Sequence, residues 1–211
     1  MPCSVLRILG GTCRHAAFTA ALLVLSAIFG QSAKAQQYEY FRFPAAIGYV
    51  SHPFDDTHAA SPGQYHAGID IVTNYGQVNS AMATAYGQVW SITRNGSNDH
   101  GLGNCVIVMH AVPIDSYGRV MYVYSLYAHL ATVNVTVGQL VSSYTKIGTV
   151  GGTGYGQANY WGAHLHFEIK NAGVLYNPSG SGQYWGYTPR SAWGYGYNDP
   201  NTYFWRYQAK R

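Results

Sequence analysis

Five residues in three clusters carry the chemistry open to this sequence: His66 and Asp70 in YHAGIDIVT, His129 in YAHL, and His164 and His166 in AHLHFEIK. Neutral imidazoles and a carboxylate are good donors for a divalent cation, zinc above all. On a strand, positions i and i+2 share a face, so His164 and His166 project side by side while Leu165 and Phe167 face a core. A single histidine there reads as a locally hydrogen-bonded core residue. Two at this spacing leave packing and ligation evenly matched. His66 and Asp70, with Gly68 between them, fit a loop-to-strand passage in which both side chains converge; the alternative is a turn-capping Asp70 and an exposed His66. With one histidine from the strand, the pair supplies three protein ligands and leaves a coordination position open, the mark of catalytic rather than closed structural sites.

These side chains need strands to hold them. Helical periodicity is nearly absent after residue 36. Short alternating or apolar runs, rich in β-branched and aromatic residues, occupy 87–92, 104–110, 119–130 and 163–170. Pro113 to Gly118 reads as a hairpin loop, and Val137–Val141 and Lys146–Gly148 as further short strands. The expectation is an all-β domain, mainly antiparallel. The opening QQYEYFRFP is linker-like. The segment 183–207 holds ten aromatics among glycines. These rings are expected mostly as irregular core laid over one side of the barrel, with a stacking surface as the alternative.

Composition narrows the function. Residues 1–35 have the form of an export signal: Arg7 and Arg14, the apolar stretch Ala16–Gly30, then Ala33-Lys34-Ala35 as a cleavage site. The apolar stretch is shorter than the roughly 20 residues that span a bilayer, so no stable membrane insertion is expected after cleavage. The mature domain is expected at 36–211, periplasmic or extracellular. It keeps nine Lys/Arg against eight Asp/Glu, a net charge of +1, and has no basic run to bind nucleic acid. Cys105 is its one thiol, which excludes an internal disulfide and a cysteine-based zinc site; in NCVIVMH it reads as buried and structural.

The order of these motifs resembles the lysostaphin-type, LytM-like zinc endopeptidases of bacterial cell walls. Their HxxxD, Y-x-HL and HxH-aromatic-acid signatures match His66/Asp70, Tyr127–Leu130 and His164–Glu168. Gly103-Asn104, Val137-Gly138-Gln139, Ile147-Gly148 and Gly151–Gly154 match the stretches between. The resemblance covers about Tyr49 to Pro178. It implies a compact barrel-sandwich with a groove walled by loops, and one Zn2+ per chain held by His66, Asp70 and His166. It implies catalysis by a metal-activated water assisted by His129 and His164, with their tasks undivided. The substrate implied is peptidoglycan, cut at peptide bonds in crosslinks or stems, by a monomer. The alternatives are a catalytically silent wall-binding module that regulates another hydrolase, and a lectin-like wall anchor. Against the family pattern, residues 153–162 form a longer glycine-rich approach to the last motif, with Tyr155, Tyr160 and Trp161 as candidate groove residues. Glu168 is a candidate partner for a ligand histidine. His52, His58, His100 and His110 read as ordinary, the first two lying where they would line the groove. Activity is expected to fall below about pH 6, where imidazoles protonate.

Overall fold

The computed structural model describes residues 38–57, 63–73, 79–174 and 186–210. The chain divides into two units, Met1–Gln36 and Gln37–Arg211, and the expected signal lies outside the described residues. Among those residues no helix is long and apolar enough to cross a membrane.

In chain order the strands are β1 (Tyr38–Tyr40), β2 (Tyr49–His52), β3 (Tyr65–His66), β4 (Ile69–Val72) and β5 (Ser80–Met82). The longer ones follow: β6 (Gly87–Thr93), β7 (Asn104–Pro113) and β8 (Val120–Val133). Then come β9 (Leu140–Val141), β10 (Lys146–Val150), β11 (Leu165–Lys170), β12 (Tyr187–Thr188), β13 (Tyr197–Asn198) and β14 (Gln208–Lys210). The runs read from the sequence became β6, β7, β8 and β11, and the loop between β7 and β8 falls at the predicted turn. Asp115 closes it by accepting from the N–H groups of Tyr117 and Arg119.

The main sheet is antiparallel in the order β2-β4-β11-β8-β7-β6-β9, with β10 joining β8 to β5 and β13 on the end of β11. The fold is therefore all-β and mainly antiparallel, as expected. β8 is the axis. Its middle pairs β11 while its end pairs β10, so β8 and β11 place His129 and His166 close together. Leu165, Phe167 and Ile169 of β11 enter the core with Ile69, Val106, Val108, Tyr127, Leu130 and Ile147. Each such side chain contributes roughly 1.5–3 kcal/mol on burial.

The opening segment is a correction. Tyr38–Tyr40 pair with β14, and Phe41 is fully buried between His110 and Tyr203, at 5.0 and 5.4 Å between ring centroids. A three-residue strand whose partner lies at the far end of the chain leaves no local periodic signal. The tail proved mixed. Tyr197 and Tyr203 are buried, whereas Trp193 and Trp205 are 52% and 62% exposed.

Cys105 is buried, and burial pushes its thiol well above the ordinary range, so it is inert as a nucleophile. His110 is a satisfied core residue. Its Nδ1–H donates to Tyr86 O at 2.9 Å, and Nε2 lies 2.8 Å from Ser125 Oγ, which sits 3.2 Å from the Tyr127 hydroxyl.

Candidate metal centre

His66 ends β3 and Asp70 sits inside β4, four residues on, with Gly68 passing hard against β11. A Cβ at Gly68 would come within 2.3 Å of Phe167 O, so only glycine lets the chain cross there. The crossing brings His66 Nε2 to 3.2 Å from Asp70 Oδ1. β11 pairs with β4 in a register that sets His166 opposite Asp70, and His166 Nδ1 lies 2.9 Å from Oδ1. The two imidazoles approach each other at 3.0 Å, His66 Nε2 to His166 Nδ1.

A β-bulge delivers His129. Between Tyr127 and Leu130, β8 carries one residue more than its partner β7, and His129 takes the left-handed conformation, φ 58°. A bulge re-aims a side chain, and here the ring comes to 4.6 Å from that of His164 and 5.9 Å from that of His166. His164 precedes β11 on an isolated bridge to Gly151, with Nε2 3.7 Å from Asp70 Oδ1.

Hydrogen bonds assign the tautomers. An acceptor holds one ring nitrogen of each histidine: Pro53 O takes His66 Nδ1–H at 3.0 Å, and Thr153 O takes His129 Nδ1–H at 3.0 Å. Gly162 O takes His164 Nδ1–H at 2.6 Å, and Glu168 Oε1 takes His166 Nε2–H at 3.0 Å. In the neutral rings the remaining nitrogens carry lone pairs. Two of them, His66 Nε2 and His166 Nδ1, meet Asp70 Oδ1, a repulsive grouping unless a cation, a proton or a metal ion, sits among them. Among the described residues, His66, Asp70 and His166 form a cluster that could hold a metal ion. Tetrahedral zinc with bonds of about 2.0–2.1 Å keeps its ligands roughly 3.3 Å apart, close to the separations here. Outer acceptors on ligand imidazoles are the usual support of such sites. The residues fit the ion.

With no metal bound, a proton on His166 fills that place. Burial works against the Asp70 carboxylate, yet His166 and His66 hold it well below the ordinary carboxylate range. Burial alone would lower His166; Asp70 and Glu168 outweigh it and raise the ring to about 9. His129 and His164 are both lowered, first by burial and then by neighbouring imidazoles, although Asp70 partly offsets this at each. Glu168 stays ionised deep in the fold because Lys170 Nζ lies 3.6 Å from its other oxygen.

A protein-family model described as peptidase family M23 matches residues 64–178. The chain belongs to peptidase family M23. All five sequence-selected residues lie inside that match. The M23 domain is similar in fold to a component of the SpoIIQ–SpoIIIAH pore-forming complex, at 21% identity over 79% of this chain and 91% of that one, TM-score 0.51. It is also similar to the catalytic domain of the antimicrobial peptidase lysostaphin from Staphylococcus simulans, at 24% identity, covering 74% and 88%, TM-score 0.43. A zinc-containing peptidase from Vibrio cholerae is 24% identical over 64% of this chain, TM-score 0.46; the M23 chain spans 37% of that protein's length. No curated protein matches.

The groove candidates lie beside the centre. Trp161 is 5.8 Å from His129, with Tyr160 4.7 Å beyond it and Tyr155 4.7 Å beyond that, between ring centroids. His52 stands edge-on to His66 at 6.2 Å. His58 lies outside the described residues; His100 sits exposed in a turn. Sequence reasoning missed Asp99 and Tyr187. Asp99 is buried and accepts from the N–H groups of Gly101 and Tyr155 at 2.8 Å each, and of Gly96 at 3.1 Å, clamping the aromatic loop. A lone Asp in NDHG looks like turn chemistry and nothing more.

Proposed function

We propose that this M23 domain is a zinc-dependent endopeptidase that hydrolyses peptide bonds of peptidoglycan crosslinks or stem peptides. The observation that carries it is the set of four histidines, each with one nitrogen tied to an acceptor, around a single carboxylate. His66 Nε2, Asp70 Oδ1 and His166 Nδ1 would hold the metal. A bound Zn2+ would act as a Lewis acid on the scissile carbonyl and lower the pKa of a water towards about 7. One of His129 and His164, neutral and with Nε2 unprotonated, would accept the proton of the attacking water. The acceptor returns it to the leaving amine, so that the water oxygen ends on the carbonyl carbon. The second imidazole is available for the oxyanion. Tyr155, Tyr160 and Trp161 would wall the groove on the His129 side.

The family match supports a peptidase, and the motif resemblance supports the cell wall as substrate. Residues 1–35 would direct export to the periplasm or beyond, and the working form would be a monomer. A catalytically silent wall-binding module that regulates another hydrolase is the second reading. Zinc content and release of soluble fragments from purified peptidoglycan separate the two, measured beside His166→Ala and His129→Ala. One zinc per chain, lost in the first variant and kept in an inactive second, supports the peptidase. Wall binding with no release from several wall types sinks it.

A further inference from the structure

The tail strand β12 lies outside the residues matched by the family, yet it pairs with β3 so that Tyr187 stands opposite His66. Its ring packs against the His66 imidazole, 5.5 Å between centroids and tilted by 34°. Gly186 precedes it at φ 80°, 3.6 Å from the His166 ring as measured from an added Cβ, so the tail rests against both imidazoles. Ala67 N–H donates to Gly186 O at 2.8 Å and fixes that approach.

Asp55 bolts the arrangement from the other side. Its N–H donates to His66 O at 2.9 Å, and its carboxylate accepts from Ser191 Oγ at 2.8 Å and Ala192 N–H at 2.6 Å. It does so at φ 62°, a left-handed conformation uncommon for a residue other than glycine. The contacts close a ring: Asp55 to His66, Ala67 to Gly186, and Ser191 and Ala192 back to Asp55. The Pro53 carbonyl sets the hydrogen-bond direction of His66, and the rings packed against the imidazole limit its tipping about that bond. A flat aromatic face opposes that tipping.

We propose that the 186–192 tail is a working part of the metal centre, with Tyr187 the positioning residue that holds the His66 ring in its metal-binding orientation. This rests on the metallopeptidase reading above. The phenol is pushed up to about 12 by burial, with Asp70 adding to it, so the group beside the centre is neutral at working pH.

The test is metal affinity of the full chain, by competition with a chromogenic chelator, together with the visible spectrum of the Co2+ form. Y187A should bind zinc about 10–100-fold more weakly, the usual effect of losing a partner that orients a ligand, and should shift the Co2+ bands. Y187F, which keeps the flat face, should restore both. Asp55→Ala should weaken binding in the same direction, by releasing the tail without touching a ligand. If Y187A does not fold, Tyr187→Leu, which fills space without a flat face, takes its place. Wild-type affinity and spectrum in Y187A, or a Y187F as poor as Y187A, overturn the proposal. A wild type that binds no metal overturns both readings, whereas tight metal binding without wall cleavage overturns only the peptidase.

Discussion

His166 donates Nε2–H to Glu168 Oε1 at 3.0 Å while its Nδ1 faces Asp70 Oδ1 at 2.9 Å. The acid two residues along the same strand thus decides which nitrogen is offered to a metal. Glu168→Ala is expected to weaken zinc binding by about 10–100-fold. It should also cost about 3–5 kcal/mol of stability, because it strands the buried Lys170 ammonium. Glu168→Gln, which keeps an acceptor, should lose less affinity than the alanine. Chelator competition and denaturant melts read the two effects apart.

His129 and His164 touch each other but are not among the three converging donors. His129→Ala and His164→Ala should each retain zinc and lose kcat by roughly 10²–10⁴-fold. Metal analysis of the same samples checks it; zinc loss in either would move that residue into the ligand set.

The acid limb of kcat/KM should lie below pH 6.5. The neutral imidazole is the working form of a base, and burial lowers the pKa of both His129 and His164. Activity is therefore retained as pH falls to 6.5 and lost only as it passes the depressed values. A profile measured with excess zinc that fails above pH 7 contradicts the assignment.

Stability should depend on pH through His110, away from the centre. Burial lowers it to about 4, against about 6.5 in the unfolded chain. Between those values the unfolded state binds more protons, so stability falls as pH drops from 6.5 to 4, by on the order of 3 kcal/mol. His110→Gln should flatten that slope in thermal melts, at some cost in stability at neutral pH.

Asp99 fastens the aromatic loop through backbone N–H groups of Tyr155, Gly101 and Gly96. Asp99→Ala should raise KM more than it lowers kcat and cost about 2 kcal/mol of stability from the unpaired donors. Steady-state kinetics on soluble wall fragments checks the split.

Much of this was legible in the sequence. β6, β7, β8 and β11 have alternating or apolar runs long enough to mark themselves, and HLH names its own geometry once the strand is recognised. The five candidate residues stood out in the sequence because their chemistry is rare on such strands. What was not readable is non-local. β1, β3, β12 and β14 are two or three residues long and exist because of partners far along the chain. The bulge that turns His129 inward leaves no mark in YAHL. Nor could Tyr187 be told from nine other rings in 183–207, because what distinguishes it is the residue it faces.

The pairing of β1 with β14 sets Tyr38 opposite Lys210 and Tyr40 opposite Gln208. The polypeptide therefore enters and leaves the domain side by side, at one end of a two-stranded ribbon. A pull applied through these two points would load the ribbon one rung at a time, as a zipper opens, instead of shearing all its rungs together. Ala209, opposite Glu39, is the first core side chain such a pull would reach, and Phe41, just past β1, is the next.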